Sequence, residues 1–206
     1  MKIILATHNH HKVDEISEIL RNAAVTATIQ SLIEFPSFEE CVEDGATFYD
    51  NAVKKALHSL NHLRHMVEKQ DNYYILADDS GLEIDALDGK PGIMSARYAP
   101  TSGRRIERVL SELLSVPSAE RTARFVCVAA LVDVRENIVT RTGQCNGAIT
   151  LEPRGSQGFG YDPIFVPDGY SITLAEMSQE EKNRISHRGN AFRAIADYLK
   201  TSLIDK

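Results

Sequence analysis

Asp78 and Asp79 follow the apolar run Tyr73-Tyr74-Ile75-Leu76-Ala77 and precede Ser80-Gly81. A run of this length bounded by a glycine reads as a buried strand, and ligands of open α/β sheets bind outside the carboxyl ends of strands. Two adjacent carboxylates there are placed to bind a metal ion or to activate water. Side chains alternate along a strand, so at most one of the pair faces a given ligand while the other turns toward the scaffold. The competing reading is a turn, which Asp, Ser and Gly all favour.

Two helix starts carry charges of the wrong sign. Asn9 can cap a helix whose first turn holds His10, His11 and Lys12, and Ser186 one that opens with His187 and Arg188. Cations there oppose the macrodipole, at roughly 0.3 to 1 kcal/mol each, so an anion should compensate. Free backbone N–H groups beside Lys or Arg suit a phosphate, although two solvated helix ends would look the same. In Gly158-Phe159-Gly160-Tyr161-Asp162-Pro163 the two glycines flanking Phe159 permit close backbone approach while its ring offers a flat face for a base; a tight turn with a core Phe is the alternative. Lys182 is near enough in sequence to His187 and Arg188 to share their pocket, whereas a solvated face is the usual fate of a charge run such as 180–184.

Other signals carry less. His58, His62 and His65 have helical spacing that could suggest zinc, yet each lies two residues past Ala56, Leu60 or Leu63, about 200° round the helix at ~3.6 residues per turn. They should face solvent. No H-E-x-x-H, P-loop, G-x-G-x-x-G or G-x-S-x-G motif occurs.

The elements that must position these residues alternate between strand and helix. Lys2 to Ala6 reads as a strand, Val13, Ile16, Ile19 and Leu20 as the stripe of a helix, and Val25 to Leu32 as a second strand. A long helix is expected from Ala46 to about Val67, with Phe48, Ala52, Ala56, Leu60, Leu63 and Val67 inward. The aspartate strand follows, then a separate short strand at Leu82 to Ala86, a loop at Gly89 to Gly92 and a helix over Arg104 to Leu114. Arg121 to Val134 and Ile138 to Thr150 form a hairpin around Arg135-Glu136-Asn137, and Ile164 to Val166 a further strand. A final helix runs from near Ser186 to about Leu203. The fold class is α/β, with a mixed β-sheet flanked by helices.

With 206 residues, 43% apolar and 25% charged, the chain suits one globular domain, residues 1–206, with two lobes. The apolar stretch Ile3 to Ala6 is too short for a signal peptide or a membrane span, so a cytoplasmic protein is expected. Cys41, Cys127 and Cys145 are odd in number and lack C-x-x-C spacing, which favours reduced, structural thiols. A net charge of -6 argues against nucleic-acid partners, so an anionic ligand needs a local positive pocket.

The motifs together resemble the inosine triphosphate pyrophosphatase family: T-x-N-x-x-K at Thr7 to Lys12, E-x-G-x-T-F at Glu43 to Phe48, N-A-x-x-K-A at Asn51 to Ala56 and A-D-D-S-G-L at Ala77 to Leu82. P-G-I-x-S-A-R-Y at Pro91 to Tyr98, G-F-G-Y-D-P-I-F at Gly158 to Phe165 and E-K-x-x-I-S-H-R-G at Glu181 to Gly189 complete the set. The match runs end to end and in order. One position departs: the family usually has T-G-N in the first loop, and His8 stands where its Gly would be.

The resemblance implies an elongated sheet with an active-site cleft between two lobes. It also implies hydrolysis of deaminated purine nucleoside triphosphates (ITP, dITP, XTP) to monophosphate and pyrophosphate, with Mg²⁺ as cofactor and a homodimer as the assembly. By the same resemblance Asp79 accepts a proton from water and binds Mg²⁺, and Glu43 is the second metal ligand. Thr7, His8, Asn9, His10, His11 and Lys12 wrap the triphosphate, and Lys55 and Ser80 add phosphate or sugar contacts. Phe159, Gly160, Tyr161 and Asp162 stack on and orient the purine, while Lys182, His187 and Arg188 approach base and phosphate, Arg188 as donor to the 6-oxo group. Arg97 is a further phosphate contact. The alternatives are a pyrophosphatase for other modified nucleotides and a noncatalytic nucleotide-binding regulator.

Overall fold

A computed structural model of the chain describes residues 1–35, 38–64 and 73–204. In order these are β1 (Lys2–Leu5), α1 (His10–Asn22), β2 (Thr28–Ser31), α2 (Phe48–Leu63), β3 (Tyr73–Ile84) and α3 (Ser102–Glu112), followed by β4 (Thr122–Asp133), β5 (Ile138–Ile149), β6 (Phe165–Pro167), α4 (Gln179–Ile185) and α5 (His187–Ile204). The strands form one sheet in the order β2-β1-β3-β4-β5-β6. β1 pairs in parallel with β2 and β3, and β5 antiparallel with β6, so the sheet is mixed.

The chain divides into two compact units, and the boundary falls within β3, β4 and β5. One unit comprises Met1–Asp79, Cys127–Thr142 and Asn190–Lys206; the other comprises Ser80–Val126 and Gly143–Gly189. In the first, Ile3, Leu5, Leu76, Cys127, Ala129 and Leu131 alternate along their strands and pack against Ile16, Ile19 and Leu20 of α1 and Phe192, Ile195 and Leu199 of α5. Strand parity sends Ile4, Ile75, Ala77 and Asp79 to the opposite face. Thr47 caps α2 in a reciprocal box with Asp50, so this helix starts at Phe48. It buries Phe48, Ala52, Ala56, Leu60 and Leu63, the expected stripe, while Val67 and His65 lie outside the described residues. The second unit gathers Leu82, Ile84, Ile106, Val109, Phe125, Ile149, Phe165 and Leu174 into its own core.

Two expectations are corrected. β3 is a single 12-residue strand that carries Asp78, Asp79, Ser80 and Gly81 through its middle, where two strands separated by a turn were expected. Gly81 is not among the glycines of positive φ, and Leu82 and Ile84 are buried beyond it, so pairing and burial hold the chain extended. The carboxylates still follow directly on the parallel part of the ladder, whose register ends at Leu5 and Leu76. The charge run before Ser186 forms helix α4, with Ser178 and Glu181 as its capping box; Lys182 and Asn183 are buried, and Glu180, Glu181 and Arg184 are exposed. His58 and His62 do not face open solvent. Their ring centroids lie 5.5 and 5.3 Å from that of Phe38, because the 38–40 segment returns to α2 and His58 Nε2 bonds the Glu39 carbonyl at 2.8 Å.

The hairpin of β4 and β5 forms as its sequence predicts, with the Asp133 carboxylate accepting the Arg135 and Asn137 backbone N–H groups. None of the three cysteines is in a disulfide, and Cys127 and Cys145 are buried. Among the described residues no helix is long and apolar enough to cross a membrane.

Candidate active site

In the first unit the two aspartates point to opposite faces of the sheet, as alternation requires. Asp78 shares the face of Leu76, and both its carboxylate oxygens accept from Lys12 Nζ of α1 at 2.9 Å. Asp79 lies on the other face, where Asn51 Nδ2 of α2 donates to its Oδ2 at 2.9 Å. Lys55, one helical turn beyond Asn51, donates to the Asp78 carbonyl at 2.8 Å and forms an ion pair with Glu43. Helical spacing of four places Asn51 and Lys55 on one side, and the small side chains of buried Ala52 and Ala56 let the α2 backbone come close.

Asp78 and Asp79 are only 2% and 7% exposed. Burial pushes the Asp79 carboxyl above its ordinary value, a rise that Lys55 and the Asn51 hydrogen bond only partly oppose. Burial alone would lower the Lys55 ammonium, but Asp78, Glu43 and Asp79 outweigh it and hold the group above its usual value. The cluster sets three carboxylates, Glu43, Asp78 and Asp79, against the two ammonium groups of Lys12 and Lys55, a surplus of one negative charge. Such a surplus of hard oxygen donors fits Mg²⁺, which takes one or two carboxylates and completes its shell with water and substrate phosphate. Glu43 and Asp79, close enough that Glu43 raises the cost of ionising Asp79, are residues that could share such an ion. Among the described residues no group of three or more His, Cys, Asp or Glu side chains is placed to hold a metal ion.

The start of α1 is built as its sequence predicts in one respect and not in another. Asn9 caps the helix by accepting the Lys12 N–H, and Thr7 Oγ1 accepts the Asn9 N–H at 3.1 Å. His10 and His11 are exposed. The anion that meets Lys12, however, belongs to the chain itself: it is Asp78. His8 leans on Phe38, with ring centroids 5.9 Å apart, and its Nδ1 lies 3.5 Å from the Glu40 carboxylate.

The second unit holds a different cluster. Asp162 Oδ2 accepts from the Phe159 N–H and from Lys182 Nζ, both at 2.8 Å, and Asp162 and Lys182 are 3% and 2% exposed. Gly158 is required here twice over, by its φ of 70° and because a Cβ would sit 2.1 Å from Asp162 Oδ2. The half-buried Phe159 ring has Lys182 Nζ at 4.8 Å and the Arg188 guanidinium at 5.3 Å from its centroid. Arg188 also donates to Ser80 Oγ at 3.3 Å, and the His187 ring stacks on Phe125 at 4.6 Å. Ser186 Oγ accepts the Gly189 N–H at 2.9 Å, the cap expected for α5.

Tyr161 departs from the expectation that it offers a face to a base. It is 4% exposed within the apolar core, and its hydroxyl donates to the Ser95 carbonyl at 2.9 Å. Ser95 in turn accepts the Leu82 N–H and donates to the Gly92 carbonyl. Tyr161 thus supports the loop that carries Phe159, and desolvation raises its phenol far above the usual range. Arg97 is exposed. Sequence reasoning missed Asn51 as a member of the first cluster; its signal was the N-A-x-x-K spacing, which puts an amide one turn before Lys55.

Residues 3–198 match the family model of the Ham1 family. The dITP/XTP pyrophosphatase of Leuconostoc mesenteroides is 44% identical over 201 residues, covering 97% of this chain and 96% of that protein. The Bacillus subtilis protein of the same name is 44% identical over 200 residues, with 96% of each chain covered. Among solved structures, a HAM1 protein from Coxiella burnetii superposes with a TM-score of 0.82 at 38% identity, covering 98% of this chain and 99% of that one. A Mycobacterium abscessus structure described as a nucleoside-triphosphatase and dITP/XTP pyrophosphatase gives 0.72 at 39% identity, covering 97% and 99%. With nearly its whole length matched in sequence and in fold, this chain belongs to the Ham1 family.

Proposed function

We propose that this chain is a nucleoside triphosphate pyrophosphatase that hydrolyses deaminated purine nucleotides (ITP, dITP and XTP) to the monophosphate and pyrophosphate, as one domain acting in the cytoplasm and assembled as a homodimer. The observation that carries this reading is Asp79: a buried carboxylate, raised by desolvation and held between Asn51 and Lys55 with Glu43 in electrostatic range, in a chain whose relatives bear the name dITP/XTP pyrophosphatase.

Water attacks the α-phosphorus, the bond to the bridging oxygen of the β-phosphate breaks, and pyrophosphate leaves. Asp79 orients the water and takes its proton. Mg²⁺, held by Glu43 and Asp79 when bound, would neutralise phosphate charge and lower the pKa of the attacking water. Lys12 and Lys55, already paired with carboxylates, exchange those partners for phosphate oxygens and stabilise the charge that develops. The backbone and side chains of Thr7 to His11 contact the triphosphate, and Ser80 adds a phosphate or sugar contact.

The cluster of the second unit reads the base. The Phe159 ring stacks on the purine, Gly160 keeps the loop close, and Arg188 donates to the 6-oxo group with Lys182 and His187 beside it. Adenine presents an amine donor at that position, so ATP would set two donors against each other and is rejected. The test is product analysis. ITP with Mg²⁺ should give IMP and pyrophosphate, EDTA should abolish the reaction, and ATP should react far more slowly. IDP with orthophosphate would place cleavage at the γ-position and overturn the reading.

A further inference from the structure

Asn51 is fully buried, and its carboxamide makes two hydrogen bonds of opposite sense. Its Oδ1 accepts the Gly45 N–H at 2.8 Å, and its Nδ2 donates to Asp79 Oδ2 at 2.9 Å. A backbone N–H can only donate and an ionised carboxylate can only accept, so the bond to Gly45 fixes which end of the amide meets Asp79. Among side chains of this size only Asn bridges a donor and an acceptor in that way; Asp lacks the donor and Leu lacks both. Gly45 lies two residues from Glu43, and a Cβ there would sit 2.7 Å from Asn51 Oδ1 and 2.7 Å from Asp50 Cβ. Its φ is not in the left-handed region, so the requirement for glycine is one of space: the backbone must come close enough to fix the amide.

We infer that Asn51 is a positioning residue that locks the Asp79 carboxylate and ties it, through Gly45, to the segment bearing Glu43, so that the two carboxylates are held as one preorganised pair for a divalent cation. The inference rests on the proposed pyrophosphatase reading for its catalytic consequence but not for its effect on ion binding. Groups that orient metal ligands typically change affinity or activity by about 10- to 100-fold when removed. Lys55 contributes charge to the same carboxylates, but its ammonium is a point charge on a flexible stem, whereas the Asn51 amide is held in one orientation by its bond to Gly45.

The experiment compares wild type, Asn51→Leu and Gly45→Ala in three readouts: Mn²⁺ binding without nucleotide by electron paramagnetic resonance, kcat and KM for ITP, and thermal melting. Both variants should weaken Mn²⁺ binding by about 10-fold or more and lower kcat by about 10- to 100-fold, with KM changed less than about threefold. Gly45→Ala alters a half-buried position outside the core, so it decides the matter if Asn51→Leu fails to fold. Wild-type Mn²⁺ affinity and kcat in a folded Gly45→Ala or Asn51→Leu would overturn the inference while leaving the pyrophosphatase reading intact. Should the wild type release no pyrophosphate from ITP, that reading falls, and the Mn²⁺ measurement still tests the positioning role.

Discussion

The two charged clusters solve opposite problems. Around Asp78 and Asp79 each ammonium faces more than one acceptor: Lys55 bonds a carbonyl and Glu43 while feeling both aspartates, and the group keeps a net negative charge. Around Asp162 the pair is buried, with Lys182 Nζ 2.8 Å from Asp162 Oδ2 and the Phe159 N–H donating to the same oxygen. Surplus charge with shared partners allows cations and phosphates to be exchanged at modest cost. A neutral buried pair cannot be rearranged without stranding a charge, and it therefore suits a fixed surface for recognition.

The largest effect is expected from Asp79→Asn, which keeps shape but removes the basic oxygen and the negative charge; kcat should fall by about 10²- to 10⁴-fold. Its stability should move the other way. A carboxyl whose folded pKa is raised contributes stability that is present below its unfolded value and lost as pH rises through the folded value. Ionised Asp79 is thus a cost at neutral pH. With EDTA present, Asp79→Asn should melt above wild type at neutral pH, and the difference should shrink toward about pH 4, near the unfolded carboxylate value. An equal or lower melting temperature at neutral pH would mean that Lys55 and Asn51 outweigh desolvation.

Lys182→Met should show its main effect in stability. Removing one partner of a buried ion pair typically costs about 3 to 5 kcal/mol, and adding Asp162→Asn should recover part of that loss. Lys12→Met should cost less, because the Lys12 side chain is 18% exposed and Lys55 remains in range of Asp78. Similar losses in the two lysine variants, read by denaturant unfolding, would erase the distinction between the clusters.

Next in size is Arg188→Ala. It should lose roughly 1.5 to 3 kcal/mol of transition-state stabilisation for ITP, the scale of a hydrogen bond to a charged donor, with a smaller change for ATP. Equal losses for both nucleotides in kcat/KM would assign Arg188 to phosphate. The smallest effect belongs to His8→Gly, which removes a partly exposed contact with Phe38 at the edge of the first cluster. It should alter KM more than kcat; the reverse pattern would give His8 a catalytic part.

The sequence by itself determined what depends on near neighbours. The stripe of α1, the Asn9 and Ser186 caps, the β4–β5 hairpin and the alternation of Asp78 and Asp79 follow from periods of ~3.6 and 2 and from side-chain-to-backbone bonds a few residues apart. The spaced motifs were likewise enough to indicate the family. What remained hidden depended on distant partners. Lys12 meets Asp78 across 66 residues, Asn51 meets Asp79 across 28, and Tyr161 reaches Ser95 across 66. The continuity of β3 through Ser80-Gly81 is of the same kind, since turn-forming residues stay extended when the strand is paired and buried beyond them. So is the placement of His58 and His62, which the returning 38–40 segment covers. Local periodicity says which side of an element a residue occupies. Only the packed fold decides what is brought against that side, because burial and ion pairing are properties of two segments at once.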